Sequence, residues 1–184
     1  MIEDKERWNK RYVENPMPEN VSPLVEKYIE HVNVGDALDV ACGTGRNTHF
    51  LADMGFYVDA FDISDYALDK VKKSATINKA EKDLDNYNLM PNKYDLIVNV
   101  NYLNRRLVSQ MKDALKSGGV IIFETFIVAH GDFNMPTTNL DYLLRKNELL
   151  HSFIGLDIIY YEERIDTNLR GERVKVASLV AKKA

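Results

Sequence analysis

Two glycines one residue apart, Gly43 and Gly45, close an apolar run in the stretch LDVACGTGRNT at 38–48. Without side chains there, backbone amides can approach a ligand and a helix can start close against a strand. Such a loop holds a nucleotide-type cofactor or is only a tight turn. A dinucleotide fingerprint needs a third glycine or alanine three residues on, but Thr48 stands there, so the match is incomplete. The missing Gly-Lys-Ser/Thr excludes a P-loop. Asp62 follows Gly45 by 17 residues at a strand end, where a carboxylate can accept both hydroxyls of a ribose. Asp83 closes the next strand, and with the backbone amide of Leu84 it can address an adenine edge. Either acid alone is equally an ordinary strand-end carboxylate. Together with the glycine loop they point to a nucleoside-type ligand.

Positioning these residues requires strands that end together. ALDVA at 37–41, YVDAFDI at 57–63, TINKAEKDL at 76–84, YDLIVNV at 94–100 and VIIFETF at 120–126 read as five strands. Ser22 and Pro23 start a helix whose inner face is Val25, Tyr28, Ile29 and Val32. Arg46 to Met54 forms another helix that stops at Gly55, and Ser64 caps one carrying Ala67, Leu68, Val71 and Ala75. Leu103, Leu107, Met111 and Leu115 mark a further helical face ending at SGG, 117–119. After the polar stretch AHGDFNMPTTN come a helix around Lys146 to Phe153 and two strands, LDIIYYEER and ERVKVASLVAKK, joined by RIDTNLRG-type turn residues. The expected fold is α/β: a doubly wound, Rossmann-like, mostly parallel seven-stranded sheet with an antiparallel C-terminal hairpin, in three αβα layers. One domain, 1–184, is expected, with a helical cap or lid at 1–34, a cofactor-binding core at 35–126, and a substrate-side loop, helix and strands at 127–184.

With 184 residues and 45% apolar content the chain can bury one core of ordinary size. A formal net charge of -4 argues against broad attraction to nucleic acid or an anionic membrane, so a small solute is the expected partner. The single cysteine, Cys42, cannot form an intrachain disulfide, and no Cys/His cluster suggests a metal site. The start MIEDKERWNKRYVENPMPEN lacks the apolar core of a signal peptide, and no apolar stretch approaches the roughly 20 residues of a membrane span. A cytoplasmic protein, monomeric or homodimeric, is expected.

ALDVACGTGRNTHFLADMGFYVDAFDIS resembles the first two motifs of class I S-adenosylmethionine-dependent methyltransferases, and KDL, YDLIVNVNYL and LKSGGVIIFETF resemble the later ones. More narrowly, WNKRY, GTGRN, NYLNR, FETF and RKNELL resemble the small tellurite-resistance (TehB-like) group. The resemblance spans nearly the whole chain. It implies S-adenosylmethionine as cofactor, with S-adenosylhomocysteine as product. By position it places Asp39 and the loop of Ala41, Cys42, Gly43 and Gly45 beside the methionine part. Asp62 then takes the ribose, Ile63 packs on the adenine, and Asp83 and Leu84 bind its polar edge. Asn99 lies near the amino group or sulfonium, and Arg11 with Tyr12 closes over the carboxylate. One departure is Ala41, where the group carries the first glycine of its loop.

Methyl transfer from a sulfonium mainly requires alignment and exclusion of water, so a dedicated catalytic residue is optional. A thiol or chalcogen oxyanion such as tellurite needs little activation, whereas a protonated amine or hydroxyl needs a base. No residue is identifiable as the catalyst; His130, Tyr102 and Arg105 are the candidates, each with a plain surface or packing role as its alternative. Asn101 and Arg106 also border the expected acceptor side. His31 and His151 read as exposed, the direction of His49 cannot be read, Trp8 packs the first helix or forms an aromatic lid, and Cys42 stays a small buried side chain. The residues at 127–142 form a cover over a small acceptor or a surface excursion. NVNYL lacks the proline pair of nucleic-acid amino methyltransferases of this fold, which disfavours DNA. Two rivals remain: a module that binds S-adenosylmethionine without turnover, and an NAD-dependent oxidoreductase, which the incomplete glycine fingerprint disfavours.

Overall fold

Near-continuous apolar strands need cover on both faces. The computed structural model, which describes residues 2–129, 131–168 and 171–184, shows how they obtain it. The strands are β1 (Asp36–Val40), β2 (Tyr57–Asp62), β3 (Ile77–Glu81), β4 (Tyr94–Val100), β5 (Leu115–Phe126), β6 (Asp157–Thr167) and β7 (Arg173–Lys182). They form one sheet in the order β3-β2-β1-β4-β5-β7-β6. The first five are mutually parallel, and β7 inserts antiparallel between β5 and β6. The helices are α1 (Ile2–Glu14), α2 (Pro23–Tyr28), α3 (Arg46–Asp53), α4 (Asp65–Lys70), α5 (Arg105–Ala114) and α6 (Glu148–Phe153).

Alternation along the strands separates two apolar layers. Leu38, Val40, Ile97, Ile121 and Phe123 meet Leu107 and Met111 of α5 and Leu149 and Phe153 of α6. Ala37, Val58, Leu96, Val98 and Ile122 meet Leu24 and Val25 of α2 and Leu51 of α3. Burying each such Leu or Ile stabilises the fold by about 1.5–3 kcal/mol before entropy is counted. The chain leaves β1 outward through β2 and β3, then returns to the other side of β1 as β4. The crevice beyond the carboxyl ends of β1 and β4 is therefore the topological switch point.

The element boundaries differ from the sequence reading in specific places. The helix from Ser22 ends at Tyr28 and tightens into a 3-10 turn, Ile29–His31, leaving Val32 extended. Lys79 Nζ takes the carbonyls of Leu68 and Val71 at 2.7 and 2.9 Å, which ends α4 before Ala75. The third strand stops at Glu81 instead of Asp83, because the Asp83 carboxylate turns the chain by accepting the Asp85 amide at 3.1 Å and Asn86 Nδ2 at 2.7 Å. Leu115 and SGG belong to β5: Leu115 pairs with Tyr94, and Gly118 and Gly119 exchange backbone bonds with Lys183. In the expected RIDTNLRG turn, Leu169 and Arg170 lie outside the described residues.

Candidate functional site

The glycine loop begins at Ala41, which leaves β1 with φ +52°; Gly43 and Gly45 follow at +56° and +87°. Left-handed backbone costs an alanine about 1–2 kcal/mol, so the loop keeps a glycine-type geometry against the preference of its first residue. Gly43 donates its amide to Asp62 Oδ2 at 2.8 Å. The Ser64 amide bonds Oδ1 at 2.9 Å, and the Tyr12 phenol donates to Oδ2 at 3.3 Å. Asp62 therefore ties the first two strand ends together. Burial pushes its pKa up, opposed by the Ser64 and Gly43 amides and the Tyr12 phenol. A Cβ on Gly43 would lie 3.2 Å from the Tyr12 hydroxyl, so α1 rests directly on the loop.

Asp39, near the end of β1, is 2% exposed and accepts the Thr48 hydroxyl at 2.6 Å. Burial pushes its carboxyl up to about 7, against the pull of Thr48 and Arg46. Thr48, which spoils the dinucleotide fingerprint, is thus the partner of a buried acid. The Cys42 thiol is buried beside Asp39 and Asp62, which pushes its pKa up and leaves it a poor nucleophile.

Across the crevice, Asn99 on β4 is completely buried. Its Nδ2 donates to the Tyr102 carbonyl at 2.7 Å, while its Oδ1 has no hydrogen-bond partner among the described residues. Asn101 follows at φ +60°, so two left-handed non-glycine residues, Ala41 and Asn101, flank the switch point.

Beyond β2 and β3, Ile63 is partly exposed and Leu84 is buried. The Leu84 carbonyl receives Asn104 Nδ2 at 3.3 Å and Arg106 Nη2 at 2.6 Å, and its amide has no protein acceptor among the described residues. Asp83 is occupied by its own turn. The Tyr102 hydroxyl lies 3.4 Å from Asn104 Nδ2, with Asp83 and Asp85 acting on it, and burial pushes its pKa up to about 12. Tyr102 therefore stands within the influence of both the Asp83 turn and Tyr142, at the end of the 127–142 stretch.

Arg105 differs from the sequence reading. It bonds both carboxylate oxygens of Glu148 at 2.6 and 3.0 Å and the carbonyls of Asp141 and Leu143 at 2.6 and 2.8 Å. It fastens the segment before α6 to α5 and has little capacity left for an acceptor. Arg106 is committed to Leu84, Tyr87 and Asn88. His130 lies outside the described residues. His49 accepts the Lys72 amide at 3.0 Å and so faces the loop after α4, His31 packs on Tyr28, and His151 is exposed on α6.

The first helix is held over the strand ends by Lys5, 2.8 Å from Asp65 and 2.9 Å from Glu81, and by Asn9, which bonds Asp65 at 2.7 Å and receives the Ser64 hydroxyl at 2.5 Å. Trp8 packs 5.8 Å from Tyr12, and the exposed Arg11 lies over Trp8 at 5.0 Å, its charge also acting on the Tyr12 phenol. Several residues of the site went unread in the sequence. Asn47 accepts the Ser22 amide at 3.0 Å, tying the approach to α2 to α3. Glu124 holds Arg164 at 2.8 Å and Ser178 at 2.5 Å, and Arg173 and Lys175 each lie 4.9 Å from the Phe133 ring. GTGRN was visible as a block, but only folding brings Glu124 of β5 to act on its Arg46.

The profile of the family described as "Tellurite resistance protein TehB" matches residues 1–180. A curated relative from Haemophilus influenzae, named a probable S-adenosyl-L-methionine-dependent methyltransferase TehB, is 26% identical over 165 residues, covering 79% of this chain and 56% of the relative. The chain thus spans a little over half of that protein's length. The crystal structure of TehB from Haemophilus influenzae superposes with a TM-score of 0.75 at 21% identity, over 98% of this chain and 67% of that one. A putative S-adenosylmethionine-dependent methyltransferase from Listeria monocytogenes gives 0.68 at 15% identity, over 88% and 98%. At these identities the structures speak for the fold.

Proposed function

The chain belongs to the TehB family, and on that premise we propose that it is an S-adenosylmethionine-dependent methyltransferase acting on a small molecule, a thiol or a chalcogen oxyanion such as tellurite. One observation carries this reading: a fully buried acceptor, Asn99 Oδ1, is left without a donor at the switch point. An unsatisfied buried acceptor costs about 1–3 kcal/mol, a cost that a ligand ammonium at the crevice removes. The remaining residues suit the rest of the cofactor. Asp39 and Ala41 to Gly45 form the wall for the methionine part, and Asp62 meets the ribose once it shares or yields the Tyr12 contact. Ile63 and the unpartnered Leu84 amide suit the adenine, with Asp83 shaping their turn.

When bound, S-adenosylmethionine supplies a methyl group on a sulfonium, open to in-line displacement. The chain's own residues orient and enclose. Tyr12 and α1 cover the loop, and Asn99 fixes an amino group by accepting a hydrogen bond from it through Oδ1. Arg173 and Lys175, at the end of β7 that adjoins the carboxyl end of β5, offer positive charge to an anionic acceptor. No side chain here needs to act as a base if the nucleophile enters ionised. Transfer of a labelled methyl group should be followed across thiols, tellurite, selenite, amines and carboxylates. Transfer to a thiol or chalcogen oxyanion supports the proposal, and binding of the cofactor with no acceptor methylated would favour a module without turnover.

A further inference from the structure

Arg46 opens α3 directly after Gly45 and is half-buried. Its guanidinium has no hydrogen bond or ion pair among the described residues. More exposed arginines of the chain are fully engaged: Arg105 with Glu148, and Arg106 with Leu84, Tyr87 and Asn88. Two carboxylates act on Arg46 through space, Asp39 and Glu124, yet each is satisfied elsewhere. Asp39 holds Thr48 at 2.6 Å, and Glu124 holds Arg164 at 2.8 Å and Ser178 at 2.5 Å. Glu124 stands opposite Val100, the last residue of β4, and its carbonyl takes the Asn101 amide at 2.8 Å. Asp39 and Glu124 therefore bracket the crevice from the β1 and β5 sides, and Arg46 lies in the field of both. A cation that has given up hydration without gaining a partner is costly unless a ligand completes it. The guanidinium fork matches a carboxylate or oxyanion through two parallel hydrogen bonds.

We propose that Arg46 recognises the anionic group of a ligand bound in this crevice, a carboxylate or an oxyanion. The assignment rests on the functional reading above, and the anion has two possible sources, the amino-acid end of the cofactor or an anionic acceptor. Calorimetry on wild type, Arg46→Gln and Arg46→Lys separates them with three probes: S-adenosylhomocysteine, 5′-methylthioadenosine, which lacks the amino-acid end, and selenite added to protein saturated with S-adenosylhomocysteine. A tenfold or greater loss for S-adenosylhomocysteine in Arg46→Gln, with methylthioadenosine unchanged and partial recovery in Arg46→Lys, is expected if the cofactor carboxylate is the anion. Loss confined to selenite identifies the acceptor. If S-adenosylhomocysteine and selenite bind Arg46→Gln as they bind wild type, or methylthioadenosine weakens equally, the assignment is overturned. Failure of wild type to bind S-adenosylhomocysteine would overturn the functional reading too, and is thereby distinguishable.

Discussion

Replacing Asp39 with asparagine should remove a pH dependence of stability that the wild type owes to one buried acid. The Asp39 carboxyl is held at about 7, against an ordinary value of 3.8, chiefly because burial disfavours its charged form. Between these values the native state binds more protons than the unfolded chain, so stability is present at low pH and is lost as pH rises. Linkage with the two values gives a loss of about 2 kcal/mol between roughly pH 5.5 and pH 8, out of about 4 kcal/mol over the full titration. Asp39→Asn keeps an oxygen to accept the Thr48 hydroxyl and carries no charge, so it should lack this component. Urea denaturation of both proteins at the two pH values reads the difference. The variant should gain about 2 kcal/mol relative to wild type on going from pH 5.5 to 8. A gap between the two proteins that does not change with pH would refute the buried-acid argument.

Other substitutions probe the remaining contacts. Ala41→Gly should stabilise the chain by up to about 1 kcal/mol, since relief of the +52° backbone outweighs the added freedom of the unfolded state; a lower midpoint in urea would contradict this. Asp62→Asn should weaken S-adenosylhomocysteine binding by about 1–3 kcal/mol in calorimetry, and unchanged affinity would remove Asp62 from the site. Tyr12→Phe deletes the phenol that shares Asp62 Oδ2, so affinity should fall by no more than about twofold; a tenfold loss would put the phenol on the ligand itself. Arg105→Ala should cost about 1–3 kcal/mol and speed proteolysis within 131–147, with S-adenosylhomocysteine affinity retained. Loss of affinity without loss of stability would return Arg105 to the site.

The sheet was legible because its strands are continuous apolar runs whose helical crossovers leave one topology family, and β4 falls on the residues expected for it. Boundaries failed where a side-chain hydrogen bond redirected the backbone. Lys79 ends α4 from the neighbouring strand, and Asp83 turns away from β3 on its own carboxylate. Asp62 could be singled out from its distance to the glycines, but not its bonds to Gly43, Ser64 and Tyr12, which join three separate elements. Arg105 looked available because its partner Glu148 lies 43 residues away in sequence. Arg46 and Asn47 stood within the quoted loop, yet what distinguishes them is a missing partner in one case and a contact to Ser22 in the other.

The most direct test of the proposed cofactor is calorimetry of the wild-type chain with S-adenosylhomocysteine, S-adenosylmethionine and NAD in parallel. Saturable binding of one S-adenosylhomocysteine and one S-adenosylmethionine per chain, with no heat from NAD, is the expected result. Tight binding of NAD with no response to the other two would contradict the methyltransferase reading.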